Sequence, residues 1–377
     1  MTYSMYWSKL ARSLSPYIPG EQPRQGTFIK LNTNENPYPP SPLVIEAIQK
    51  AAGDHLRLYP DPACTELRQA IAHRYGVQPK QVFAGNGSDE VLAFAFGAFF
   101  NAPGPGDAAP LNGSGSSPQG IPICFPDITY SFYPVYAGLW GIPYRTIPVA
   151  EDFSIDYQAF KIASGGVVIP NPNAPTGRAL PIAELLSIVQ GDNEGAPDRV
   201  VLVDEAYTAF GAETAVPYIA AYPNLLTVHT LSKAASLAGL RVGFAIGAEA
   251  LIEGLCRIRD SFNSYTLDRL AQAGAQAAIM DSPYYDAVNR MVIATRERVA
   301  AALISMGVEV IPSSANFLFI RSPEKKGTGF FAALRDRGIL VRHFDKPRIA
   351  DYLRVSMGTD AEMDVFLEQC RNILMKS

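Results

Sequence analysis

The sequence predicts an α/β protein: a large domain built on a mostly parallel sheet covered by helices, then a smaller α/β domain at the C-terminus. Three observations predict this. Short, near-continuous apolar runs alternate with helix-like stretches, the pattern of strands buried on both faces. The chain has 377 residues, 48% of them hydrophobic and 18% charged, which is more chain than one core usually serves. Polar and charged residues collect at the carboxyl ends of the apolar runs, where ligands sit in open α/β sheets.

Each element follows from local composition. Residues 1–40 are rich in Pro, Tyr and Asn and read as an extended arm that packs on the small domain or a partner subunit. The large domain is expected over 41–285. "SPLVIEAIQKAA" (41–52) and "TELRQAIAHRYG" (65–76) have helical periodicity and end near Gly. "QVFAG", "IPICF", "GGVVIP", "RVVLVDEAY", "LLTVHT" and "RVGFAIG" read as strands. "VLAFAFGAFF" (91–100) reads as a buried helix whose polar cap is Ser88-Asp89-Glu90. The Gly/Pro/Ser-rich stretch 101–120 reads as a flexible insertion loop. A small-residue helix is expected after Lys233, before Arg241 opens the next strand. The long helical stretch 283–306 leads out of the large domain. The small domain is expected over 286–377, with strands at "VEVIPSSANFLFIR", "GILVRHF" and "YLRVSMG".

Composition excludes several function classes. Net charge is −4 with no dense basic block, which argues against nucleic acid or an anionic membrane as partner. The four cysteines form no CxxC pair and the four histidines are scattered, so no metal site is expected. The N-terminus lacks the apolar core of a signal peptide, and the longest apolar run is too short to span a bilayer. A soluble, cytoplasmic protein of a reducing compartment is the expectation.

Four stretches can carry chemistry. Lys233 follows Thr230 and Ser232 at a strand end, among small residues. A lysine is ordinarily a snorkelling surface residue. Desolvated at a strand end, its amine loses basicity and becomes the nucleophile that a Schiff base with an aldehyde needs. Asp204 ends the apolar run of "VVLVDEAY", with Tyr207 three residues on. It suits a helix cap, or a buried carboxylate that stabilises a cation. "GNGSDEVL" (85–92) places glycines before a helix start, where backbone N–H groups can cradle a phosphate; Ser232 and Arg241 can complete that cradle. "NPNAPTG" (171–177) is a sound turn sequence, and its position makes it a wall of the same cleft.

The order of these stretches along one alternating chain resembles the fold-type I, pyridoxal phosphate (PLP)-dependent aminotransferases over essentially the whole length. Within that superfamily, "SPYIPG" (15–20), "IKLNTNENPYPP" (29–40), "RLYPDP" (57–62), "FPDITYSFY" (125–133), "TLSKAASLAGLRVGF" and "YLRVSMGT" (352–359) look like the histidinol-phosphate aminotransferases. The resemblance implies that Lys233 carries PLP, Asp204 pairs with its ring nitrogen and Tyr207 bonds its phenolic oxygen. It assigns the phosphate to Gly87, Ser88 and Asp89 with Ser232 and Arg241, counts Thr230 among the cofactor-binding residues, and gives ring stacking to Tyr130. Tyr59 is implied to reach the cofactor of a partner subunit, making a homodimer with shared sites. Arg342 and Arg354 are implied to bind the anionic groups of histidinol phosphate and of glutamate or 2-oxoglutarate. Tyr17 and Asn34 fall on the substrate side.

One departure stands out. The family usually reads NPNNPTG, with the asparagine before Pro-Thr-Gly on the phenolic oxygen; that position is Ala174 here. Either Asn173 shifts into the role or Tyr207 serves alone. An aromatic amino-acid aminotransferase or a threonine-phosphate decarboxylase-like enzyme would share Lys233, Asp204, Tyr207 and Arg241. More remote are a non-catalytic PLP-binding regulator and an α/β protein with no PLP.

Overall fold

A computed structural model describes residues 5–17, 20–22, 28–100, 122–162, 164–191 and 199–374. The expected insertion at 101–120 lies outside them. The arm contributes α1 (Lys9–Ser13) and β1 (Ile29–Lys30). Next come α2 (Pro42–Ala51), α3 (Thr65–Tyr75), β2 (Val82–Gly85), α4 (Gly87–Phe99) and β3 (Ile123–Pro126). Then follow α5 (Tyr133–Trp140), β4 (Tyr144–Ile147), β5 (Val167–Pro170), α6 (Ile182–Gln190), β6 (Val201–Asp204), β7 (Leu225–Thr230) and β8 (Gly243–Gly247).

These strands form a seven-stranded sheet in the order β2-β8-β7-β6-β5-β3-β4. Strands β7, β6, β5, β3 and β4 pair in parallel, while β8 is antiparallel to both neighbours. Alternate residues feed two cores. Val167, Ile169, Val201 and Val203 face one; Val168, Leu202, Leu226 and Val228 face the other. All eight are fully buried, each worth about 1.5–3 kcal/mol relative to exposure. Burial on both faces explains why these strands read as continuous apolar runs.

The expected helix after Lys233 is absent: residues 231–240 are turns. Strands β7 and β8 are antiparallel neighbours, so the chain reverses in place and needs no crossover helix. Ser236 (φ 56°) and Arg241 (φ 55°) adopt left-handed backbone in the reversal. Leu237 N–H donates to Leu231 O, and Leu231 N–H to Val242 O. The cap of α4 also differs from expectation. The capping position is Asn86, and Ser88, Asp89 and Glu90 lie inside the first turn. There the acids favour the helix dipole, and the Glu90 carboxylate accepts from Asn86 N–H at 2.6 Å.

Beyond the sheet run α7 (Glu249–Asp260), α8 (Arg269–Met280) and the 24-residue α9 (Ser282–Ser305). The C-terminal part holds β9 (Glu309–Ile311), β10 (Phe317–Arg321), α10 (Gly327–Arg335), β11 (Ile339–Leu340), β12 (Arg342–His343), β13 (Tyr352–Ser356) and α11 (Asp360–Leu374). An antiparallel sheet β12-β13-β10-β9 packs over a third core that includes Leu318, Leu353, Val355 and Phe366. Strand β1 of the arm pairs in parallel with β11, and Leu31 enters that same core.

Candidate active site

The carboxyl ends of β5, β6 and β7, the first turn of α4, the arm and β12–β13 enclose a cavity of about 270 Å³. Lys233, Asp204, Tyr207, Thr230, Ser232 and Arg241 line it. So do Ser88, Asp89, Tyr130, Tyr17, Asn34, Arg342 and Arg354. Residues up to 337 positions apart in sequence therefore share one space, from Tyr17 to Arg354.

Lys233 follows β7, and its Nζ donates to Thr33 O of the arm at 2.9 Å. Burial, helped by the charge of Arg354, lowers its pKa to about 8, so a neutral, nucleophilic amine is accessible near neutral pH. Asp204 ends β6 with its side chain toward the cavity. Burial raises its pKa to about 6, against the opposing hydrogen bonds from the Tyr133 hydroxyl and Ala206 N–H. Among the described residues it has no salt-bridge partner. A buried acid without a counter-charge is what an incoming cationic nitrogen would satisfy.

The anion cradle forms where α4 meets β8. Gly87 has φ +79°, and a Cβ there would lie 2.4 Å from Arg241 Nη2. Glycine thus lets the guanidinium reach the helix start. Arg241 donates to Ser232 Oγ at 3.2 Å and to Asp89 Oδ2 at 3.0 Å. Asp89 also accepts from the Tyr130 hydroxyl at 2.8 Å. Its carboxylate therefore orients the arginine and the ring; an anion in the cradle meets the backbone N–H groups, Ser232 and Arg241.

Arg354 sits between the Phe317 and Phe344 rings, 5.4 and 5.6 Å from their centroids. Its Nη2 donates to Asn32 O at 3.0 Å, while its buried Nε has no partner. Burial lowers its pKa, and neighbouring Arg342 adds to the effect. Two crowded guanidiniums, one with a spare donor, concentrate positive charge that an anion could satisfy. A second cavity of about 550 Å³ adjoins the first, shares Tyr17, Tyr130, Ala174, Arg342 and Arg354, and extends to Lys346 and Arg348. Tyr17 stacks on Phe132 at 4.3 Å.

Three expected residues are placed apart. Asn173 does not line either cavity; its amide donates to Ile128 O at 2.9 Å and its buried Oδ1 has no partner. Gly87 shapes the cradle from behind Ser88. Tyr59 lies outside the cavity, 78% exposed and stacked on Tyr265 at 4.5 Å.

Sequence reasoning missed Tyr133, whose fully buried hydroxyl donates to Asp204 Oδ2 at 2.8 Å. It stands at the end of "FPDITYSFY" (125–133), where Tyr130 drew the attention. It also missed Glu205, which points to the opposite face of β6. Burial raises the Glu205 pKa to about 7 although Ala215 N–H and the Thr214 hydroxyl donate to it. His229 lies 3.7 Å away, and burial lowers its pKa to about 3, so its ring brings no positive charge to Glu205 near neutral pH. Among the described residues no cluster of His, Cys, Asp and Glu is placed to hold a metal, and no helix is long and apolar enough to cross a membrane.

Sheet, buried lysine and paired arginines define an α/β protein in which a desolvated amine and two guanidiniums line one cleft. The chain belongs to the aminotransferase class I and II family, whose model matches residues 26–369. It is 54% identical over 373 residues to histidinol-phosphate aminotransferase 1 of Bordetella parapertussis, covering 98% of this chain and 99% of that one. It is 51% identical over 375 residues to the histidinol-phosphate aminotransferase of Aromatoleum aromaticum, with 98% and 99% covered. The crystal structure of histidinol-phosphate aminotransferase from Sinorhizobium meliloti in complex with pyridoxal-5'-phosphate superposes with a TM-score of 0.83 at 24% identity, covering 100% of this chain and 99% of that one.

Proposed function

We propose that the protein is a PLP-dependent histidinol-phosphate transaminase. It would interconvert L-histidinol phosphate and 2-oxoglutarate with imidazole-acetol phosphate and L-glutamate, in L-histidine biosynthesis. The observation that carries the reading is that Arg342 and Arg354 line the same cavity as Lys233. One anion pocket can then receive the phosphate of one substrate and a carboxylate of the other in turn.

The donor set fits the cofactor. The Lys233 amine suits its aldehyde, Asp204 its ring nitrogen, Tyr207 its phenolic oxygen, and the Ser88–Ser232–Arg241 cradle its phosphate. Bound there, PLP supplies an electron sink for the pair left when the substrate α-carbon gives up a proton. The chain's own groups do the rest. With a pKa near 8, the Lys233 amine can take that proton and return it. The Asp204 carboxylate holds a proton on the ring nitrogen, and Tyr133 keeps the carboxylate aimed. Tyr17 and Tyr130 exclude water from one side of the cavity.

A homodimer belongs to the same reading. Tyr59, Leu58, Leu56 and Phe262 are all exposed, and a second copy of the chain would cover them while Tyr59 reached the partner's cofactor phosphate.

Borohydride reduction of the holoenzyme followed by peptide mass spectrometry should fix the cofactor on Lys233. Lys233→Ala should lower transamination of histidinol phosphate at least about 10³-fold. Retained turnover, or a higher kcat/KM for phenylalanine or threonine phosphate than for histidinol phosphate, would remove the assignment.

A further inference from the structure

Asn34 was expected on the substrate side, and it lines the cavity; its hydrogen bonds run to the protein. It is 2% exposed and held in left-handed backbone, φ 56°. Its backbone N–H donates to Ser356 Oγ at 2.8 Å, and Ser356 Oγ–H donates to Asn34 Oδ1 at 2.9 Å. Asn34 Nδ2 donates to the Tyr207 hydroxyl oxygen at 2.9 Å. Asn316 Nδ2 closes the set on Asn34 O at 3.0 Å.

This chain of bonds has one direction. A backbone N–H can only donate, so the Ser356 oxygen accepts from it and its hydroxyl proton goes to Oδ1. An amide whose oxygen is so engaged presents its NH₂ to Tyr207. Among the described residues Asn34 is the one hydrogen-bond partner of the Tyr207 hydroxyl. The Tyr207 oxygen therefore accepts from the protein, and its own proton is left for whatever occupies the cavity. Ala174, where the NPNNPTG pattern of the resembled family would place an asparagine, offers the cavity only a methyl group.

We infer that Asn34 is a positioning residue that fixes the Tyr207 hydroxyl as a donor into the cavity, compensating for the amide missing at Ala174. Resting on the PLP reading, this assigns Tyr207 as the donor to the phenolic oxygen, held in that polarity by Ser356 of β13 through the arm. Asn34 thereby acts on the cofactor's electronics through Tyr207.

The test is the pH at which the holoenzyme's visible cofactor band titrates, measured without substrate. An ionised aspartate at position 34 accepts where the amide donated, so in Asn34→Asp the Tyr207 proton turns away from the cavity. Loss of a donor to the phenolic oxygen makes the chromophore more basic, so the midpoint should rise by about one unit. Tyr207→Phe should give a similar rise, and the double variant should rise no further than either single one. Ser356→Ala, a milder change, should move the midpoint in the same direction. An unmoved midpoint in both Asn34→Asp and Ser356→Ala overturns the inference. So do fully additive shifts in the double variant, or a raised KM for histidinol phosphate in Asn34→Ala with the midpoint unchanged. A wild-type protein with no visible band after loading with PLP overturns the functional reading, and this inference falls with it.

Discussion

The Tyr133 hydroxyl reaches across 71 residues of sequence to donate to Asp204 Oδ2, with the tyrosine fully buried and the acid nearly so. Among the described residues the only other donor to this carboxylate is Ala206 N–H, on Oδ1 at 3.2 Å. A donor to the charged form lowers a carboxyl pKa, so its removal raises it.

Tyr133→Phe should accordingly keep the fold and push Asp204 further toward its neutral form. Cofactor affinity should drop about tenfold at pH 6 and much less at pH 8, where the carboxylate is ionised in either case. Equilibrium dialysis at the two pH values decides; equal losses at both would refute the role given to Tyr133.

Gly87→Ala should damage the anion cradle specifically. Its Cβ would stand 2.4 Å from Arg241 Nη2, on backbone that L-residues rarely adopt. With the guanidinium displaced, the dissociation constant for PLP should rise at least about tenfold, a loss comparable to one charged hydrogen bond. Inorganic phosphate, which competes for the same cradle, should weaken in parallel in fluorescence titrations.

Arg354→Ala should lower kcat/KM by about 10²-fold for histidinol phosphate and for glutamate alike, the cost of leaving a desolvated anion unpaired. Steady-state kinetics of both half reactions provide the check. A fall confined to one substrate would separate the two anion sites that are proposed as one.

Glu205 gives a pH signature. Its pKa is about 7 in the fold against an ordinary 4.5. A raised carboxyl pKa means that the folded chain holds the proton longer than the unfolded one. Its stability contribution is thus full below about 4.5 and lost as pH climbs through about 7. Glu205→Gln removes the ionisation. The variant should gain on wild type between pH 5 and 8 by on the order of 2 kcal/mol, read as the difference in denaturant midpoints of the cofactor-free proteins. The His229 contribution runs the opposite way but is common to both proteins and cancels. A difference independent of pH would show that Glu205 is not buried as a neutral acid.

Much of this architecture is legible in the sequence. The runs ending in Asp204 and Thr230 announced buried strands because both faces of the sheet are covered. The segments carrying Lys233, Arg241 and Arg354 announced the site because a short polar motif after an apolar run has few other uses. What stayed hidden was pairing across distance. The turn at 231–240 looked helical because small residues suit helices, and only the antiparallel placement of β8 beside β7 makes a crossover unnecessary. Tyr133 and Glu205 look like ordinary core and loop residues until folding sets one against Asp204 and the other on the far side of the same strand. The displacement of Asn173 could not be read either, since a turn's sequence does not say which amide faces the cleft.

The pairing of β1 with β11, and of Leu31 O with Ser356 N–H, has a consequence for biosynthesis. Strand β1 finds its strand partner only about 310 residues later in translation, from Ile29 to Ile339. Until residues 339–356 emerge, β1 lacks its strand partner, Asn34 lacks Ser356, and the cleft lacks the wall that carries Arg342 and Arg354. A chain that stops short of these residues holds neither arginine of the proposed anion pocket, so competence waits for their translation.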